Sequence, residues 1–299
     1  MYRRKFINTS LLSAGALAVF NNSAFAALMS QQAYQFTPLR KNVGIFTEKG
    51  GTIAWLSNKD GIVVVDAEFP DTAPHVIAEL QKQSDKPFQY LINTHHHGDH
   101  TSGNIAFKGI AKNVAAHTNS LINQKAAAAK SNSDAKQLYP DTTFTDSWRT
   151  KVGDETIRAY YWGAGHTNGD AMIHFENANI VHTGDLVFNR MYPYVDASAG
   201  ASVKSWSAVL AKAQKQFNKD TLFVFGHAFD PKKVTGTLDD LKAMQNYMDR
   251  LADFVVAQIK AGKTKDEVLA ATSIPGVTEW QGDGIKRSLT AAYDELSKA

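Results

Sequence analysis

The chain has 299 residues, of which 43% are hydrophobic and 20% are charged, and it contains no cysteine. This length allows one large domain or two small ones, and without cysteine no disulfide can stabilise the fold. The formal net charge is +3, and Arg3, Arg4 and Lys5 account for it, so residues 27–299 carry no net charge with histidine neutral. A basic surface for nucleic acid or for anionic membrane is therefore not predicted.

The first 26 residues have the pattern of a secretory signal peptide. A basic start is followed by an apolar stretch from Leu11 to Phe20 and by small residues that suit cleavage after Ala26. This pattern predicts an exported, periplasmic protein, and the stretch is too short for a membrane anchor. The pair Arg3-Arg4 favours the twin-arginine export route, and the alternative is an ordinary secretory signal with two arginines.

Residues 27–40 are predicted to be a loose leader, and residues 41–230 to form the main domain. Three strands are expected first, at 43–47, 52–56 and 61–65, with a turn at Gly50-Gly51. A helix over 72–84 and a strand over 88–93 follow. The alternation of strands and helices indicates an α/β domain.

The second half of the chain continues this alternation. A helix is predicted over 120–130, strands between 142 and 182, a helix from Ser202 to Phe217, and a strand over 221–226. Residues 231–299 are predicted to be a helical segment packed on the domain. Thr237 precedes its first long amphipathic run, Gly262 can end that helix, and Thr264 begins the next with a capping box.

The most informative motif directly follows the predicted strand 88–93. Within six positions the chain places His95, His97, Asp99 and His100. Imidazole nitrogens and a carboxylate oxygen are good zinc ligands, so we predict a metal site. Adjacent Asp99 and His100 point differently from the His95/His97 pair, which favours two ions side by side. The alternative is a histidine-rich surface tract.

Three further residues lie in similar positions downstream. His166, Asp185 and His227 each follow a strand-like run, and a glycine stands immediately before each of them. Glycine lets the backbone turn sharply and approach an ion closely. Loops at strand ends often carry the chemistry of α/β proteins, so these residues are candidates for the rest of the ligand set.

These motifs, in their order and spacing over roughly residues 40–230, resemble the metallo-β-lactamase superfamily in its dinuclear hydrolase branch. The resemblance implies a four-layer αβ/βα sandwich with a short C-terminal helical extension. It implies one metal on His95, His97 and His166, and a second on Asp99, His100 and His227, with Asp185 bridging both. Asp66, which ends a strand, is expected to hold nearby loops and not to bind metal.

The implied activity is hydrolysis of an ester, lactone, thioester or amide bond in a small molecule. A hydroxide shared by two divalent ions would be the nucleophile, with Asp99 as the catalytic residue that orients it. Zinc is the expected metal, and manganese or iron also suits these ligands. Asp185 stands where well-known lactamases of the family use cysteine, which favours ester or lactone substrates.

Other functions stay open at this point. Export favours β-lactamase activity as the main alternative, since antibiotics are met in the periplasm. A mono-iron persulfide dioxygenase is a weaker alternative, and a non-catalytic binding protein is a third. Arg190 and Tyr192, which follow the bridging aspartate, are candidates for substrate contacts. The oligomeric state is not predicted.

Overall fold

Two β-sheets lie at the centre of the structure, which is a computed structural model that describes residues 34–298. The residues from Phe36 onward form one compact unit. The predicted signal peptide and residues 27–33 of the predicted leader lie outside the described residues. Among the described helices, none combines the length and the apolar character that crossing a membrane requires.

The first sheet has seven strands in the sequential order β1 to β7, and the second has six in the order β15-β13-β11-β10-β9-β8. Strands β12 and β14 form a separate parallel pair. The strand bounds are β1 Gln35–Arg40, β2 Val43–Thr47, β3 Ile53–Asn58, β4 Gly61–Val65, β5 Phe88–Asn93, β6 Ala111–His117, β7 Thr142–Phe144, β8 Ser147–Val152, β9 Glu155–Tyr160, β10 Met172–Phe175, β11 Ile180–His182, β12 Phe188–Asn189, β13 Leu222–Val224, β14 His227–Ala228 and β15 Thr235–Gly236.

The helices occupy the intervals between strands and most of the C-terminal region. Their bounds are α1 Ala73–Gln83, α2 Gly98–Thr101, α3 Thr118–Ser131, α4 Val203–Gln216, α5 Leu238–Lys260, α6 Lys265–Leu269 and α7 Ile285–Leu296. Ser202 caps α4 by accepting a hydrogen bond from Ser205 N, and Thr264 forms the predicted capping box of α6. Most of these helix ends lie within two residues of the predicted ends.

Two apolar cores hold the layers together. The first lies between the sheets and joins side chains such as Val63 and Ile92 to Ile173 and Val224. The second lies between the second sheet and the helices α4, α5 and α7, and includes Trp206. Helix α3 contacts β6 and β7 at the first sheet. The predicted four-layer sandwich is therefore confirmed.

Parallel strands bring the ends of several elements to one edge. Strands β4, β5, β6 and β7 are parallel neighbours in the first sheet, and β11 and β13 are parallel neighbours in the second. The loop with His95 follows β5, Asp185 follows β11, and His227 follows β13. Residues far apart in sequence thus meet where strands end.

Two predicted boundaries differ from the structure. The last six residues of the predicted loose leader, Gln35–Arg40, form β1. Its side chains are mostly exposed, so the sequence lacks the apolar alternation that marks a half-buried strand. The segment predicted to be helical from residue 231 begins with β15, which pairs with β13 and extends the second sheet. The second sheet therefore includes residues beyond 230.

Candidate metal centre

The loop after β5 divides its four candidate ligands into two pairs. His95 lies in the loop itself, and His97 is the residue that precedes α2. Asp99 and His100 lie within the first turn of α2. Because the backbone changes from extended to helical at His97, the two pairs point in different directions. Adjacent residues of the motif therefore belong to two separate groups of side chains.

The first group joins His95, His97, His166 and Asp185, whose ligand atoms all lie within 4.8 Å of one another. His97 Nδ1 is 3.2 Å from His95 Nε2 and 2.7 Å from His166 Nε2. The side chains of His95 and His166 are almost fully buried. Three imidazole nitrogens that converge in this way fit a tetrahedral metal site with one position left for an oxygen ligand.

The second group joins Asp99, His100 and His227 within the same limit of 4.8 Å. His227 Nε2 lies 3.0 Å from Asp99 Oδ2, and 3.4 Å from His100 Nε2. Gly51 packs against the His100 ring, where an added Cβ would lie 2.1 Å from a ring carbon. Glycine is therefore required at this position for His100 to occupy the group.

Asp185 lies between the two groups. Its Oδ2 is 3.5 Å from Nε2 of both His166 and His227, and its Oδ1 is 3.2 Å from His100 Nε2. Oδ1 is buried and has no hydrogen-bond partner among the described residues. A buried carboxylate oxygen without a hydrogen bond is costly unless a cation neutralises it, so the site fits bound metal.

The room around Asp185 depends on a second glycine. At Gly226, an added Cβ would lie 2.0 Å from Asp185 Oδ1. The Gly226 backbone N–H donates a hydrogen bond to Gly184 O, and the Gly226 carbonyl accepts one from Thr52 N–H. The glycine that precedes His227 in the sequence therefore permits the close approach of the His227 loop to the Asp185 carboxylate.

Burial sets the protonation of the first group. It lowers the pKa of His95 well below its usual value, and it lowers the pKa of His166 to about 3. Both imidazoles are therefore neutral near pH 7, which is the form that binds metal. For Asp99, burial raises the pKa, but the neighbouring His100 and the hydrogen bond from His227 outweigh it and hold the value at about 2.

In three of the candidate histidine ligands, the ring nitrogen that faces away from the group lies within hydrogen-bond distance of an oxygen atom. Asp66 Oδ2 lies 2.8 Å from His100 Nδ1, and the carbonyl of Tyr194 lies 2.7 Å from His166 Nδ1. Asp196 Oδ2 lies 2.8 Å from His97 Nε2. An acceptor at one ring nitrogen selects the tautomer that leaves the other nitrogen free for metal.

Asp66 has the structural role that the sequence predicted. Its carboxylate accepts hydrogen bonds from the backbone N–H and the hydroxyl of Thr94, at 2.8 and 2.7 Å. It therefore holds the start of the histidine loop as well as His100. Its backbone φ of +65° is rare for a residue with a side chain, and it turns the chain sharply at the end of β4.

Sequence reasoning missed Asp196 as a part of this centre. Asp196 is also held by Ser198, whose N–H and hydroxyl both contact Oδ1. The Tyr194 ring lies 5.5 Å from the His97 ring, centroid to centroid, and 38% of the residue is exposed. Tyr194 is therefore an exposed aromatic side chain that borders the centre.

The structure changes the interpretation of the two predicted substrate residues. Tyr192 belongs to the second apolar core and is only 8% exposed, so little of the residue is accessible, and its contact with substrate stays a prediction. The Arg190 guanidinium lies 3.4 Å from the Asp240 carboxylate and over the Trp280 ring, at 5.3 Å. These contacts tie Arg190 to the C-terminal region, and its role toward substrate stays a prediction.

Comparison with known proteins supports the site. The model of the metallo-beta-lactamase superfamily matches residues 47–227, which include all seven candidate ligands. A type 2 metallo-beta-lactamase of Bacillus sp. (strain 170) is 28% identical over 217 residues, which cover 68% of this chain and 80% of that protein. A hydroxyacylglutathione hydrolase of Cereibacter sphaeroides is 28% identical over 193 residues, which cover 60% of this chain and 66% of that protein.

A solved structure shows the same fold. The metallo-beta-lactamase from Pontibacter korlensis superposes with a TM-score of 0.60 at 21% sequence identity, over 72% of this chain and 99% of that one. More than a quarter of this chain therefore has no counterpart in the Pontibacter korlensis structure.

Proposed function

The chain belongs to the metallo-beta-lactamase superfamily and is a metallo-hydrolase, and from this we propose that it cleaves an ester or lactone bond of a small molecule with two bound divalent ions. Zinc is the metal that three imidazoles and a carboxylate favour. The signal-like N-terminus supports an exported, periplasmic enzyme.

The position of Asp185 carries this proposal. Its two carboxylate oxygens lie 3.2–3.5 Å from ligand nitrogens of both groups. A carboxylate in this place can bind one ion through each oxygen and hold both at the short separation that two-metal hydrolases use. The chain has no cysteine that could supply a thiolate to the second ion.

Two ions held by these groups would lower the pKa of a water molecule and polarise the carbonyl of the substrate. The chain supplies the surroundings for this chemistry. Asp99 is the most exposed of the seven candidate ligands, with 32% of its side chain accessible. Its carboxylate is therefore placed to accept a proton and pass it to the leaving group.

β-Lactam hydrolysis is the second candidate, because the similar protein of Bacillus sp. (strain 170) is a metallo-beta-lactamase. A persulfide dioxygenase with a single iron is less favoured. It would leave Asp99, His100 and His227 without an ion, although their ligand atoms converge within 4.8 Å.

Metal analysis combined with a substrate panel tests the proposal. Purified protein without its N-terminal 26 residues would be assayed for zinc, manganese and iron, and for turnover of lactones, aryl esters, thioesters, phosphodiesters and β-lactams. We expect two ions per chain and kcat/KM above about 10⁴ M⁻¹s⁻¹ on a lactone or ester. That rate on β-lactams alone would support the second candidate, and one iron with oxygen consumption would support the third.

A further inference from the structure

The C-terminal region is fastened to the loop that carries Tyr194. The backbone N–H of Tyr192 donates to Gln281 O at 3.1 Å, and Gln281 N donates to Arg190 O at 3.0 Å. At the start of α7, the buried Ser288 hydroxyl donates to Pro193 O at 2.9 Å. Helix α7 is thus held in a fixed position directly beside Tyr194.

The far end of α7 is anchored as well. The Glu295 carboxylate accepts hydrogen bonds from the Ser202 hydroxyl at 2.8 Å and from Val203 N at 2.6 Å. This places a negative side chain at the N-terminus of α4, where the helix dipole favours it. Because both ends of α7 are attached, the residues on its exposed side have defined positions relative to the metal centre.

Arg287 is such a residue, and its guanidinium lies over the Tyr194 ring at 5.5 Å from the ring centroid. The side chain is exposed, and it makes no hydrogen bond or ion pair with any described residue. A guanidinium that stacks on an aromatic face keeps the N–H groups at its edge free for an anion. The centroid of the same ring lies 5.5 Å from the His97 ring centroid and 5.9 Å from the His166 ring centroid.

Among the described residues, no carboxylate forms an ion pair with Arg287. The Asp196 carboxylate, two residues after Tyr194, already contacts His97 and Ser198. Lys286, the adjacent residue, is a second exposed cation. An anion that approaches the mouth of the centre on this side therefore meets positive charge and an aromatic wall together.

From this arrangement we infer that Arg287 and Tyr194 form a specificity site for substrates that carry a carboxylate. Arg287 binds the carboxylate through paired N–H groups, and Tyr194 packs against the apolar part between the carboxylate and the scissile bond. This inference rests on the proposed hydrolase function. It narrows the substrate class to anionic esters or lactones.

A matched pair of substrates tests the inference on the fully metal-loaded enzyme. One is a 4-nitrophenyl monoester of a linear dicarboxylic acid, and the other is its neutral counterpart, in which the free carboxylate is a methyl ester. With Arg287→Gln we expect KM for the anionic ester to rise about tenfold or more, as for the loss of a charge-assisted hydrogen bond. KM for the neutral ester and kcat for both should change by less than about twofold.

Two further variants serve as controls. Lys286→Gln removes the neighbouring exposed cation and should leave KM of both esters within about twofold of wild type. Arg287→Lys keeps the charge without the planar fork and should recover only part of the affinity for the anionic ester.

The outcomes separate the inference from the function on which it rests. If wild type hydrolyses neither ester nor any lactone, the proposed function is wrong. If wild type hydrolyses both esters and Arg287→Gln changes their KM values equally, the specificity site is wrong while the function stands. If Lys286→Gln raised KM for the anionic ester as much as Arg287→Gln does, the specificity site would also be wrong. General surface charge would then explain the preference for the anionic ester.

Discussion

The Asp196 carboxylate lies 2.8 Å from Nε2 of His97, a residue 99 positions earlier in the chain. The other carboxylate oxygen of Asp196 is held by the N–H groups of Ser198 and Ala199, at 3.1 and 3.2 Å. Oδ2 is thereby directed toward His97, and His96 Nε2 lies further from it, at 3.8 Å. His97 is thereby held with its proton on Nε2 and its Nδ1 lone pair turned toward the first metal group.

The first prediction concerns this pair. Asp196→Asn would present an amide N–H₂ to His97 Nε2 and favour the wrong tautomer, so metal affinity should fall about 10–100-fold. Chelator competition on the purified variant measures this. Asp253→Asn, which changes an exposed carboxylate of α5, is the matched control. Unchanged affinity in Asp196→Asn would show that the pair does not orient the ligand.

The second prediction concerns Asp99. Asp99→Asn keeps the size of the side chain but cannot accept a proton at neutral pH, so kcat should fall about 10²–10⁴-fold. The assay requires excess metal and a metal count for the variant, because Asp99 also belongs to the second group. Wild-type turnover with two ions bound would exclude Asp99 from the chemistry.

The third prediction concerns the number of ions. His227→Ala removes one of three side chains in the second group and none in the first. We expect wild type to bind two ions per chain and the variant to keep one, by elemental analysis after dialysis. A wild-type protein that binds one ion, with the same content in His227→Ala, would contradict the dinuclear site.

The fourth prediction concerns pH. Burial lowers the pKa values of His95 and His166. In His100 and His227 burial acts in the same direction, but the neighbouring carboxylates, Asp185 foremost and Asp99 with it, together outweigh burial and raise both pKa values. The second group must therefore release protons to bind metal, and its affinity falls as pH falls below these raised pKa values, whereas His95 and His166 of the first group are already neutral.

Acidification should accordingly remove the second ion before the first. Metal content measured after dialysis at a series of pH values, from about 8 to about 5, should fall first from two ions to one. Calorimetric titration in two buffers of different ionisation enthalpy should show proton release with the second ion. Loss of both ions at one pH would contradict the difference between the groups.

The fifth prediction concerns export. Replacing Arg3 and Arg4 together by lysine keeps the positive charge of the N-terminus and removes the twin-arginine pair. If that pair directs export, unprocessed precursor should accumulate in the cytoplasm, as seen by immunoblotting of cell fractions. Processing and export at the wild-type level would indicate the general secretory route.

The candidate ligands could be predicted because each stands in a local pattern. His166, Asp185 and His227 follow strand-like runs and a glycine, and the structure shows that those strands end at one edge. Asp196 has no such pattern, because its role depends on a contact with His97 that only the folded chain creates. Arg287 was missed for the same reason, since helix packing alone places it over Tyr194.

The errors in element assignment also have physical causes. Strand β1 is largely exposed and contains Pro38, so neither hydrophobic alternation nor strand propensity marks it. Strand β15 has two residues and depends on pairing with β13. Tyr192 stands in an aromatic run after Asp185, and sequence alone does not tell which tyrosine of that run is buried.

The chain of contacts from His166 to the Tyr194 carbonyl, and from the adjacent Pro193 to Ser288, connects the metal centre to the last helix. Metal that stabilises the His166 orientation must also stabilise the docked helix, and by thermodynamic reciprocity release of the helix must weaken the hold on metal. Amide hydrogen exchange in α7 should therefore slow when the enzyme is loaded. A truncation that removes α7 would cost metal affinity although it deletes no ligand.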